Sequence, residues 1–226
     1  MLADILLKHQ QVFTKLVPFD AATDKLVQLN LTESNTTLTP AILKDTALFS
    51  NYINQQLAAA NALYGIGGYN EHRTIYARSE VFDGNEPRRL HLGLDIWGKA
   101  GTPVSVPIGG TVHSFAFNNQ YGDYGATIIL QHQLDTVQFH TLYGHLSLKD
   151  LERLHKGRFI SQGETIAHFG EPAENGHWPP HLHFQIIEDM ELKEGDYPGV
   201  CAFTQREKYL KNCPDANIIA QLMQYV

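Results

Sequence analysis

Hydrophobic positions recur with two different periods along the chain, and the change falls near Tyr64 to Asn70. Before it, Leu2, Ile5, Leu6, Phe13, Leu16 and Val17 return at helical spacing until Pro18 stops the run. Lys25 to Thr32 then alternates like a short strand. A second helical stretch opens with Thr39-Pro40, a good N-cap and first-turn pair, or reopens near Asp45. Its apolar positions Leu48, Phe49, Tyr52, Ile53, Leu57, Ala60 and Leu63 share one face, and Gly65 suits a C-terminal stop. From about Ile75 the pattern becomes that of short strands between Gly, Pro and Asn turns, over 90–97, 103–106, 111–117, 126–132, 136–142, 164–169 and 181–187. One helix is expected inside this stretch, because Ser147 to Asp150 forms a capping box ahead of Leu151 and Leu154. The predicted fold is mainly β, an antiparallel sandwich or barrel-like sheet with an N-terminal helical appendage, α+β overall. Three segments are expected: the appendage at 1–70, the β domain at 71–190 and an extension at 191–226. Apolar helix stripes usually face a core, so packing is the first expectation for the appendage, and a protein partner for its helices is the second.

Composition narrows the function classes. The 226 residues carry 17 Lys+Arg and 24 Asp+Glu, a net charge of 17 − 24 = −7, with no Lys/Arg block. That is no footprint for nucleic acid or an anionic membrane surface. No run approaches 18 apolar residues, which excludes a helical membrane span. The first residues place Asp4 where a signal peptide has its basic region, so the chain as written reads as cytoplasmic. Cys201 and Cys213 match no metal-ligand spacing and are expected as free thiols, with one short-loop disulfide as the alternative. Histidine is the anomaly: ten of the 12 lie between His91 and His183.

Three constellations carry candidate chemistry. His91 and Asp95 pair an imidazole with a carboxylate four residues apart in an apolar strand, and both are ordinary zinc donors. His181 and His183 stand at i and i+2 of a strand, so both imidazoles leave the same face. His145 sits where a strand ends and the capped helix begins. Each alone is ambiguous, but together they meet the needs of a catalytic zinc site: three protein ligands, an open position for water, and separate groups to move protons. His91, Asp95 and one of His181 and His183 supply the ligands. The other member and His145 are left for proton transfer or oxyanion stabilisation. The remaining strand histidines, His113, His132, His140 and His168, are read as packing residues. Arg73, Arg78, Arg88 and Arg89 are read as a solvated surface more than a carboxylate clamp. Tyr76 and Tyr143 are candidate oxyanion donors.

Between about His91 and Ile187 the chain resembles the M23 (lysostaphin/LytM-like) zinc metallopeptidases, commonly peptidoglycan endopeptidases. The resemblance is carried by His91-Leu-Gly-Leu-Asp95, Gly101-Thr-Pro-Val-Ser-Val-Pro, Gly110-Thr-Val, Tyr143-Gly-His-Leu-Ser147, Ser161-Gln-Gly-Glu-Thr-Ile and Pro180-His-Leu-His-Phe184. It implies Zn2+ held by His91, Asp95 and His183, with His145 and His181 as the catalytic pair, and it leaves open which of the two is the general base. It also implies a small antiparallel β structure with zinc in a groove, and a peptide or peptidoglycan-type substrate. The loop before the last motif, Gly170 to Pro180, carries a bulky Trp178 and an additional His177, which are expected at the substrate rim. Family members that cut cell walls are usually exported, so a zinc hydrolase of a cytoplasmic, non-cell-wall amide is one alternative. A non-catalytic binding or carrier module on the same scaffold is another.

Overall fold

Most of the period-two stretch folds into one open sheet, and the chain enters that sheet earlier than the helical pattern indicates. The computed structural model describes residues 2–226; Met1 lies outside the described residues. In chain order the elements are α1 (Leu2–Lys8), β1 (Leu26–Gln28), α2 (Pro40–Lys44), α3 (Thr46–Ala60), β2 (Tyr64–Gly67), β3 (Leu90–His91) and β4 (Leu94–Trp97). There follow β5 (Pro103–Ser105), β6 (Gly110–Asn118), β7 (Gly125–Leu134), β8 (Val137–Leu146), β9 (Phe159–Ile160) and β10 (Thr165–His168). The chain closes with β11 (His181–Ile187), β12 (Val200–Cys201), α4 (Arg206–Asn212) and α5 (Asn217–Ala220). The main sheet has eight strands in the order β1-β2-β4-β11-β8-β7-β6-β9, parallel only between β1 and β2, and β10–β5 and β12–β3 form two small antiparallel pairs.

Side chains on a strand alternate faces, so each central strand splits its residues between a core and a second face. Ile66 on β2, Leu94 and Ile96 on β4, Leu182, Phe184 and Ile186 on β11, and Tyr143 on β8 enter one buried cluster. Ile66 pairs with Ile96, Leu182 with Ile96, and Phe184 with both Leu94 and Tyr143, which fixes the register of this apolar layer. Leu2 and Leu6 of α1 and Ile219 after the start of α5 join the same cluster, so both ends of the chain pack on it.

The N-terminal region is partly sheet. Asp45 caps α3 by accepting bonds from the amides of Ala47 and Leu48 (2.8 and 3.0 Å). The helix stops at Asn61, in the left-handed region with φ 49°, before the expected Gly65. Asn tolerates that conformation, and the early stop frees 64–67 to pair with β4 as β2. Of the α3 stripe, Phe49 and Ile53 are buried, against Trp97 and Trp178 among others, while Leu48 is exposed. The helix expected after Ser147 is one 3-10 turn, Leu148–Leu151, without a side-chain cap. Asp150 instead accepts a bond from the amide of His168 (2.7 Å). Cys201 and Cys213 are free thiols, both buried. Among the described residues, no helix is long and apolar enough to cross a membrane.

Candidate active site and metal centre

The second face of the central strands collects the polar residues that alternation takes out of the core. Antiparallel pairing sets His183 of β11 opposite Asp95 of β4, and His181 opposite Trp97. His91 comes from β3, one tight turn before β4. Its Nδ1–H donates to the carbonyl of Gly68 (2.9 Å), which leaves Nε2 as the bare nitrogen. His183 Nε2–H donates to Oε1 of Gln185 (2.9 Å), so its bare nitrogen is Nδ1. These two nitrogens face each other at 3.0 Å, and Oδ1 of Asp95 lies 3.2 Å from the first and 3.0 Å from the second.

That geometry tests the fit of a metal. Three lone-pair atoms converge, and the outward bonds of both imidazoles have taken their ring protons away from the centre; a cation satisfies such a set. A tetrahedral zinc with bonds of about 2.0–2.2 Å holds its ligand atoms about 3.3–3.6 Å apart, within a few tenths of an ångström of the arrangement found. His91, Asp95 and His183 form the single three-residue cluster of His, Cys, Asp and Glu with metal-binding spacing among the described residues. All three are buried. Burial, with the neighbouring Arg73, pushes His91 down to about 4, so it is neutral at pH 7 and free to ligate. Burial by itself would raise the Asp95 carboxyl, but its charged and hydrogen-bonding neighbours, Arg73 among them, outweigh it and hold the group well below the usual carboxylate range.

His145 reaches this face by breaking the alternation. Tyr143 points into the core, so a regular strand would send His145 there as well. Instead the β7–β8 register shifts between Ala126 and Ile128, and His145 takes a left-handed backbone with φ 63°. Such a bulge re-aims a side chain, and its backbone costs on the order of 1–3 kcal/mol, a cost found most often at functional sites. The His145 ring stacks on that of His181 at 4.1 Å between centroids, and His181 stacks in turn on Trp97 at 3.8 Å. Nδ1–H of His145 donates to the carbonyl of Asn175, and Nδ1–H of His181 to that of Pro179, both at 2.8 Å. Each ring therefore keeps a basic Nε2. Burial pushes His181 down to about 4 and His145 well below its ordinary value, so both are neutral at pH 7. With Asp95 and His183 they line a pocket whose walls include Tyr76, Tyr124 and Trp178.

Residues 89–194 match the family model of peptidase family M23. The match covers a little under half of the chain. Over 148 residues the chain is 26% identical to the L-Ala–D-Glu endopeptidase of Bacillus subtilis (strain 168), covering 62% of this chain and 42% of the relative. Over 125 residues it is 28% identical to the DD-carboxypeptidase/endopeptidase Mpg of Neisseria meningitidis serogroup B, covering 53% of this chain and 26% of the relative. The chain thus spans less than half the length of either curated relative. Among solved structures, the catalytic domain of lysostaphin from Staphylococcus simulans is 22% identical, with 70% of this chain and 97% of that one covered at a TM-score of 0.42.

Around this cluster several residues sit elsewhere than the sequence pattern suggests. Trp178 is no exposed rim residue but a buried wall, its ring 6.1 Å from that of His145 and 6.2 Å from that of His181. His177 is exposed and stacks on Tyr121 at 5.4 Å, outside the pocket lining. Arg73 and Arg78 are buried, contrary to a solvated surface: Arg73 bonds to Asp95, and Arg78 lies over the Trp178 ring at 4.5 Å. Tyr143 is a core residue, whereas Tyr76 lines the pocket. His113, His132, His140 and His168 all lie outside the pocket. Among the pocket residues that escape the sequence pattern are Tyr124, whose hydroxyl is 3.4 Å from Nε2 of His183, and Trp97 beneath His181. Trp97 carried a usable signal, since it stands two residues after Asp95 and so shares its face.

Proposed function

We propose that the chain is a zinc-dependent peptidase that hydrolyses amide bonds in peptidoglycan-type peptides, with His91, Asp95 and His183 as the metal ligands and His145 and His181 as the catalytic pair. The observation that carries this reading is the convergence of three lone-pair atoms at 3.0–3.2 Å beside two neutral imidazoles. A zinc ion bound there supplies Lewis acidity, which makes water nucleophilic near neutral pH and polarises a scissile carbonyl. His145 and His181 do the rest through Nε2. One takes the proton of the attacking water on Nε2 and, as the imidazolium so formed, steadies the developing oxyanion before it passes that proton to the leaving amine, while the other ring stacks on it at 4.1 Å between centroids. The carbonyls of Asn175 and Pro179 fix the tautomer of each ring, so neither has to reorient when charge develops. Trp97 supports the pair from below, and Trp178 keeps water off one side.

The names of the two curated relatives specify peptide bonds, L-Ala–D-Glu in one and a DD-bond in the other, which supports a peptide substrate of this class. The test is hydrolysis of purified peptidoglycan fragments by chelator-treated protein before and after zinc is returned, with product masses locating the cut. Cleavage that appears only with zinc is expected. Zinc-loaded protein that leaves every fragment intact while cutting an unrelated amide would refute the substrate, and loss of cutting on all amides would refute the peptidase.

A further inference from the structure

We propose that Arg73 is a positioning residue for the metal centre, holding Asp95 so that the carboxylate presents a single oxygen to the two imidazoles. The proposal rests on the zinc reading above. Arg73 lies outside the stretch that matches the M23 family model, on the segment between β2 and the 3-10 turn at Thr74–Arg78. Its side chain has no exposed surface. Nη1 donates to Oδ2 of Asp95 at 2.5 Å and to the Tyr76 hydroxyl at 3.3 Å, Nε to Oε2 of Glu71 at 3.0 Å, and Nη2 to the carbonyl of Gly68 at 2.8 Å.

Two consequences follow from those four bonds. The first concerns Asp95: with Oδ2 held by the guanidinium, only Oδ1 faces His91 and His183, so the carboxylate cannot close on a metal with both oxygens and use up the position a water needs. The second concerns His91, whose Nδ1–H donates to the same Gly68 carbonyl that accepts from Arg73. One planar guanidinium is thereby tied to the supports of two ligands, a task for a rigid fork of donors and unsuited to the single point charge of a lysine. The backbone makes room for it. Gly67 pairs with Asp95 across β2 and β4, and a Cβ there would stand 2.8 Å from Nη2 of Arg73 and 3.3 Å from Nε1 of Trp97.

The test compares wild-type protein with Arg73→Lys, which keeps the charge and loses the fork, and with Glu71→Gln, which leaves Arg73 in place and removes the anion on Nε. Each is stripped of metal and titrated with Co2+ and Zn2+ against a chromophoric chelator, and the visible spectrum of the cobalt form is recorded. For Arg73→Lys, metal affinity should fall about 10- to 100-fold, as is usual when a ligand's outer partner is lost. The cobalt absorption should weaken at the same time, as Asp95 turns its second oxygen to the metal and coordination number rises. Glu71→Gln should shift both readouts the same way by less. Buried arginine has a structural role too, but a purely structural role would lower stability and leave the cobalt spectrum as it was. Affinity and spectrum equal to wild type in both variants would overturn the proposal. If Arg73→Lys does not fold, an unchanged Glu71→Gln overturns it alone. Wild-type protein that takes up neither metal would instead overturn the zinc reading, and this proposal with it.

Discussion

Acid should destabilise this protein through histidines that fold in their neutral form, and His132 isolates the effect away from the metal centre. It is buried on β7, where Nδ1–H donates to the Gly109 carbonyl (3.0 Å) and Nε2 lies 2.7 Å from the Thr141 hydroxyl. Burial pushes it from 6.5 down to about 4. The unfolded chain therefore binds a proton near pH 6.5 that the folded chain refuses until about pH 4, so stability is full above 6.5 and drains away as pH falls toward 4. At about 1.4 kcal/mol per pH unit, the contribution lost is about 2 kcal/mol by pH 5 and about 3 kcal/mol below pH 4. The perturbation is His132→Gln, and the assay is urea unfolding of chelator-treated protein from pH 8 to pH 5. The variant should start less stable, because it gives up one or both of those hydrogen bonds, yet lose about 2 kcal/mol less than wild type across that range. The buried histidines at the site are common to both proteins and cancel in the comparison; His140, whose charge helps to lower His132, is the neighbour whose own titration the substitution also touches. An identical loss in variant and wild type would refute the reasoning.

Two further outcomes bear on the site and its support. His145→Ala should keep full metal content and lose about 10²- to 10⁴-fold in turnover, the usual share of a positioned acid–base group; zinc-loaded variant with undiminished turnover would remove His145 from the catalytic pair. Phe49→Ala should cost about 3–5 kcal/mol in chemical denaturation, because a fully buried ring leaves a cavity against Trp97 and Trp178. A cost under about 1 kcal/mol would mean that α3 is a loosely held attachment.

What the sequence could disclose follows from which interactions are local. The shared face of His181 and His183 is a property of strand periodicity, and it survives in the structure with Asp95 and Trp97 on the same side. The four-residue step from His91 to Asp95 is bridged by a turn between two short strands, so spacing alone brings both to one place. His145 was not placeable in this way, since a register shift and a left-handed residue turn it against the alternation. Arg73 looks like a surface residue in sequence because nothing local announces that its charge meets Asp95, 22 residues further on. The strand character of 64–67 was hidden by a helical apolar run that continues past the true stop at Asn61. Trp178 is expected at a rim because its loop leads into the His181-Leu-His183 motif, yet Phe49 and Tyr76 from earlier segments pack against it.

Zinc content per chain, measured on protein purified without chelator beside an Asp95→Ala variant shown to be folded by circular dichroism, tests the metal centre most directly. One zinc per wild-type chain, falling to background in the variant, is the predicted result. Wild-type protein that holds no zinc, even after the metal is added back, would contradict a zinc peptidase built on His91, Asp95 and His183.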